Sequence, residues 1–256
     1  MFIDTHCHLD DPKLISDLDT IVSEFQKERV STSITMGCEK DTSYLCRDIS
    51  EKYSSVYFGA GVHPMDAHKI LDGDIISIEK LLTHPKCVCV GEVGVDLYWD
   101  KTHLDAQKEV FNQMIELAHA YKLPMSVHMR DATKETIDLL KQNKGKLTYG
   151  GVLHCYAGSK ETLKEVLDIG FYIGFGGTLT FKNARNVLEV AKVTPLDRIL
   201  TETDSPYLSP EPKRGTINSP KNVVYVTAKL SEILGIEIEK LAEIITKNAK
   251  TVFSKL

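Results

Sequence analysis

Short apolar runs alternate along the chain with longer stretches of helical period. Eight runs read as strands: Phe2–Thr5, Thr32–Met36, Val56–Gly61, Cys87–Glu92, Pro124–His128, Gly151–His154, Phe171–Phe175 and Arg198–Thr203. Strands separated by helical segments are the pattern of repeated β/α units, which build a parallel sheet. Residues 13–28 space Leu14, Leu18, Ile21, Val22 and Phe25 three and four apart, and residues 103–121 place Leu104, Val110, Met114, Leu117 and Ala118 on one face. Ser159–Leu167 opens on Ser-Lys-Glu-Thr and carries a Leu163–Val166–Leu167 stripe. The segment 205–220 is Pro-rich and too polar for a core element, and helices over residues 221–234 and 237–254 follow it.

Eight β/α units close into a barrel, which typically takes about 250 residues. The chain has 256. The expectation is a TIM-type (β/α)8 barrel of the metal-dependent hydrolase type, one domain over residues 1–256. An open doubly wound sheet is the alternative that alternation alone permits.

Composition changes this picture little. Hydrophobic residues at 42% and charged residues at 26% exclude long disorder. A formal net charge of −5 argues against a basic face that coats duplex DNA, so attraction for any nucleic acid must be local. The six cysteines, at 7, 38, 46, 87, 89 and 155, form no CxxC pair and read as reduced thiols. No apolar run approaches the ~18 residues of a membrane span, and no leader pattern opens the chain. A cytoplasmic protein is expected, or a nuclear one in a eukaryote, with no membrane association and no obligate protein partner.

The chemistry-bearing residues fall at the expected strand ends. His6 and His8 flank Cys7 at the end of the first strand, and residues i and i+2 of a strand share a face. Glu92 ends the fourth strand, His128 the fifth and His154 the sixth, while Asp204 follows the eighth. In a β/α barrel these ends converge on one rim. Imidazole and carboxylate together suit Zn²⁺ or Mn²⁺, and Mg²⁺ less well; six such groups are too many for one tetrahedral ion, so two divalent cations are expected.

The ordered motifs HxH, GVHP, GExGxD, HxR, GxLHCYxGS, GGTLTFKNA and TETDSPYL resemble those of the TatD family of metal-dependent deoxyribonucleases in the amidohydrolase superfamily, from Asp4 to about Asn248. The resemblance implies that His6, His8, Glu92 and Asp204 hold one metal, that His128 and His154 hold the second, and that Glu92 bridges them. It also implies DNA strand ends as substrate. An amidohydrolase or esterase acting on a small carbonyl or phosphate compound is the other enzymatic reading. Two departures from the family pattern stand out. Ser219 occupies a position where many relatives have glutamate, and Tyr156 one where phenylalanine is common.

Asp204 is the expected general base, with a plain ligand role as the alternative. His63 reads as a phosphate contact or proton donor, or else as a helix cap. Arg130 shares the face of His128 and reads as a phosphate clamp, or as the partner of Glu202 in a salt bridge. Arg214 on the rim loop is a second candidate phosphate contact, and Tyr207 and Trp99 can stack on a terminal base or pack their loops. Glu202 and Asp4, each two residues before a ligand, are expected to face the interior and orient ligands. Cys7, Cys87 and Cys89 are expected to face the helices, leaving no thiol at the metals.

Overall fold

The computed structural model describes all 256 residues. Eight parallel strands form one sheet in chain order: β1 (Phe2–Cys7), β2 (Val30–Met36), β3 (Val56–Ala60), β4 (Cys87–Asp96), β5 (Met125–Arg130), β6 (Gly151–Leu153), β7 (Phe171–Phe175) and β8 (Ile199–Thr201). These runs are rich in β-branched and aromatic residues and covered on both faces, as parallel strands require; all ten residues of β4 are buried. The helices are α1 (Leu18–Lys27), α2 (Lys40–Lys52), α3 (Asp74–Leu81), α4 (Leu104–Tyr121), α5 (Thr133–Gln142), α6 (Lys160–Ile169), α7 (Arg185–Val193), α8 (Val223–Leu234) and α9 (Ile238–Val252). The architecture is a TIM-type (β/α)8 barrel, not the open sheet.

The ends of the ring meet without a strand ladder. Thr5 Oγ1 donates to the Thr201 carbonyl at 3.1 Å, and Thr201 Oγ1 donates to the Ile3 carbonyl at 3.4 Å. Above them the Asp204 amide donates to the His6 carbonyl at 2.9 Å, and the His8 amide to the Ser205 carbonyl at 2.7 Å. This seam is laced by side chains and loop amides, and it carries candidate ligands on both sides.

All eight strands were legible, although their ends were not. β4 runs four residues past Glu92 to Asp96, and β8 stops at Thr201, before Glu202 and Thr203. Helices α2, α3, α5 and α7 were not read from the sequence. In α2, Lys40–Lys52, the buried face is Ser43, Cys46, Ile49 and Ser50, so half of it is polar by residue type. Ser159 is the N-cap of α6, its hydroxyl accepting from the Thr162 amide at 3.3 Å.

Two facing expectations fail, each beside a break in strand register. Cys89 Sγ lies 3.8 Å from the Met36 thioether, not against the helices. Register shifts between Val90 and Val93, so alternation counted back from Glu92 does not hold. A Cβ on Gly91 would touch Ser126, whose Oγ is 3.2 Å from His6 Nδ1; Gly91 therefore faces the interior, and Cys89 follows it, whereas Cys87, beyond a further register shift, pairs with Phe58 on the helix side. Asp4, beside the shift between Asp4 and Cys7, reaches no imidazole. It accepts from the Thr203 amide at 2.9 Å, the Thr203 hydroxyl at 2.6 Å and the His6 amide at 3.3 Å, tying the seam. Cys7 is fully buried among residues of α1 and α8, as expected.

Candidate metal centre

Glu92 stands at the centre of the rim, 2% exposed, with each carboxylate oxygen serving a different group of imidazoles. Oε2 is 3.4 Å from both His6 Nε2 and His8 Nε2. Oε1 is 2.8 Å from His128 Nδ1, 2.8 Å from His154 Nε2 and 3.6 Å from His63 Nε2. Asp204 closes the first group, its Oδ1 at 3.3 Å from His8 Nε2 and 3.8 Å from His6 Nε2. The structure thus brings His6, His8, Glu92, His128, His154 and Asp204 into one cluster.

The donor set fits cations. His6 Nε2 and His8 Nε2 face each other at 3.3 Å, and His128 Nδ1 and His154 Nε2 at 3.1 Å. Neighbouring ligands of a tetrahedral ion at about 2.0–2.1 Å stand about 3.3 Å apart, so both spacings match a shared cation. The opposite ring nitrogens are held from behind. Nδ1 of His8 meets the Met36 carbonyl at 3.2 Å, and Nε2 of His128 meets Asp96 Oδ2 at 3.0 Å. A proton on each of those nitrogens leaves the lone pair of the other aimed into the cluster.

Burial opposes ionisation of Glu92, but the field of His154, His63 and His6 outweighs it and holds the carboxyl well below its usual range. Asp204 behaves alike: burial pushes it up, and the hydrogen bond from His8 with the nearby imidazoles brings it below normal. Burial lowers His63 to about 4, keeping that imidazole neutral. Its Nδ1 accepts from the Met65 amide at 3.2 Å, capping the short helical segment Pro64–Lys69. The cap leaves the ring proton on Nε2, aimed toward Glu92.

Glu202 is fully buried beneath the cluster, taking the Cys155 amide on Oε1, with His154 Nδ1 at 3.7 Å. Its Oε2 and His154 Nδ1 have no hydrogen-bond partner within the chain. Space for this carboxylate comes from Gly174 on β7, where a Cβ would strike Glu202 Oε2. Gly174→Ala is expected to displace Glu202 and destabilise the fold by about 1–3 kcal/mol, read by urea denaturation; an unchanged midpoint would refute the close fit.

Other expected residues are placed differently. Arg130 makes no salt bridge to Glu202, because its exposed side chain rises over the rim onto Tyr98 and Trp99, at 4.1 and 5.4 Å from the ring centroids. Arg214 lies over Phe181 at 3.9 Å, and Tyr207 bonds Asp11 through its hydroxyl at 2.7 Å, its ring 6.2 Å from that of His8. The Tyr156 hydroxyl donates to the Ser159 carbonyl at 3.0 Å, at the start of α6, and the Ser219 hydroxyl is buried without a partner. One thiol does touch the centre: Cys38 Sγ lies 3.8 Å from His8 Nδ1, behind the ring.

Asp96 went unassigned in the sequence, although its place in GExGxD, four residues after Glu92 on one strand, was the available signal. Asn218 was also missed. It is fully buried, and its amide donates to the carbonyls of Thr203 at 2.9 Å and Tyr207 at 2.7 Å, organising the rim loop.

A β/α barrel whose C-terminal rim carries such a histidine–carboxylate centre defines a metal-dependent hydrolase. The chain belongs to the TatD family, whose model, described as TatD related DNase, matches residues 3–254. It is 40% identical to YabD of Bacillus subtilis over 99% of both chains. It is 34% identical to YcfH of Escherichia coli over 98% of this chain and 95% of that one. Both relatives are described as uncharacterized metal-dependent hydrolases. The crystal structure of YjjV, a TatD homolog from Escherichia coli, superposes with a TM-score of 0.94 at 29% identity, covering 99% of this chain and 98% of that one. No helix is long and apolar enough to cross a membrane.

Proposed function

We propose that the chain is a phosphodiesterase that hydrolyses DNA at strand ends with two divalent cations, Zn²⁺, Mn²⁺ or Mg²⁺. The observation that carries this reading is Glu92, whose two oxygens each face a separate histidine group across one buried carboxylate. His6, His8, Glu92 and Asp204 would hold one cation, and His128 and His154, again with Glu92, would hold the other. Cations held there would polarise a phosphoryl oxygen and lower the pKa of water.

The chain's own groups do the rest. Asp204, ionised and half-buried at the mouth, takes the proton of the attacking water as its oxygen bonds to phosphorus. The bond from phosphorus to the leaving oxygen breaks; the Nε2–H of neutral His63 donates a hydrogen bond to that oxygen as charge develops on it, and the proton taken up by Asp204 returns to it. Arg130 and Arg214 pair with no carboxylate in the chain, so their guanidinium groups are free to meet substrate phosphates. Tyr207 flanks the same opening with its ring toward His8. A chain of net charge −5 with two guanidinium groups free of carboxylate partners near its mouth suits a strand end better than a duplex clamp.

The test is cleavage of 3′- and 5′-labelled DNA with each metal in turn. Release of labelled products that stops with chelator supports the reading; no cleavage with any metal, beside hydrolysis of a small ester, overturns it. Chelated protein given saturating Mn²⁺ should gain about 2.7 kcal/mol per site at 100 Kd, a Tm rise of roughly 5–10 °C for the first site. An unmoved melting curve would count against a cation centre.

A further inference from the structure

Between β4 and α4 the chain puts its largest apolar side chains into solvent. Trp99 is 63% exposed and Tyr98 51%, with their rings edge-to-face at 4.7 Å. Exposed aromatics on loops are usually mobile, yet this loop is held at both flanks. Asp96 Oδ1 accepts from the amides of both Tyr98 and Trp99 at 2.9 Å. Gln107, 1% exposed on α4, accepts from the Asp96 amide at 2.9 Å and donates to the carbonyls of Asp96 and Asp100 at 3.1 Å. Asp100 ties the next turn through the Thr102 amide at 2.8 Å and His103 Nδ1 at 2.7 Å.

The other oxygen of Asp96 holds His128 at 3.0 Å. One carboxylate therefore fixes a member of the metal centre and the aromatic pair together. Arg130, two residues beyond His128, lies across both rings and donates to no acceptor in the chain. An aromatic face kept rigid in water, beside an unpaired guanidinium and next to a hydrolytic centre, fits a flat ring that carries a phosphate.

We propose that Tyr98, Trp99 and Arg130 form a nucleotide subsite, in which a base stacks on the Trp99 indole and its phosphate pairs with Arg130. The inference rests on the phosphodiesterase reading for its role in catalysis, but binding can be measured without turnover. Trp99 is the only tryptophan in the chain, so emission excited at the red edge, beyond the absorption of the ten tyrosines, reports on this subsite alone. Titration of the wild-type protein with dAMP, and with a phosphorothioate-linked deoxyoligonucleotide, should quench that emission saturably. Base–aromatic stacking contributes about 1–3 kcal/mol, so Trp99→Ala should raise KM for a DNA strand about 5- to 150-fold, with a smaller change in kcat. Trp99→Phe should recover most of the loss, and Arg130→Gln should weaken dAMP binding more than deoxyadenosine binding. Saturable oligonucleotide binding without quenching, or an unchanged KM in Trp99→Ala, overturns the subsite. If the wild type cleaves no DNA, the phosphodiesterase reading falls, and quenching by dAMP alone decides whether the subsite stands.

Discussion

Replacing Glu92 with glutamine is expected to lower kcat/KM on the order of 10³-fold or more, about 4 kcal/mol of transition-state stabilisation, and to cut bound metal below two ions per chain. Glutamine keeps the size of the side chain but offers one oxygen where the carboxylate offers two. Its amide nitrogen would present protons to either the His6–His8 pair or the His128–His154 pair, and so spoil one cation site. The loss of negative charge also leaves the surrounding imidazoles without the counter-charge that the buried carboxylate supplies. Metal analysis after equilibrium dialysis, beside kcat/KM, checks both parts. Two ions per chain with activity within tenfold of wild type would refute the bridging assignment.

Asp204→Asn is expected to reduce kcat about 10²- to 10⁴-fold, the range for removal of a general base. Asparagine can still offer a carbonyl oxygen at the mouth, where Asp204 Oδ1 stands 3.3 Å from His8 Nε2. Metal content should therefore fall less than in Glu92→Gln. A variant that loses all metal and activity together would make Asp204 a ligand without a separate proton-accepting role. Undiminished cleavage would remove it from the site.

Much of this centre was legible because its residues lie at strand ends, and the strands themselves were apolar runs bounded by polar segments. HxH needed only the two-residue period of a strand. The failures share a physical cause, which is that side-chain direction depends on unbroken register. Cys89 and Asp4 lie beside breaks in it, and both were assigned the wrong surroundings. Arg130 was counted inward by the same period, yet its long side chain escapes the rim and finds aromatic faces. Asp96 was hidden for another reason: β4 continues past Glu92, and a strand end cannot be located to within four residues from hydrophobicity alone. The four unread helices cover the barrel with stripes too polar or too short to stand out.

The seam between the two ends of the ring has a consequence for how the molecule breathes. His6 and His8 lie at the end of the first strand and Asp204 follows the last, so a cation held by all three, as proposed, would act as a clasp between segments almost two hundred residues apart in sequence. The sparse lacing there, two threonine hydroxyls, Asp4 and two loop amides, is the cheapest place for the ring to part. Loss of metal should then show first as faster amide exchange at His8, Thr203 and Asp204, while the ladder from β2 to β7 stays protected.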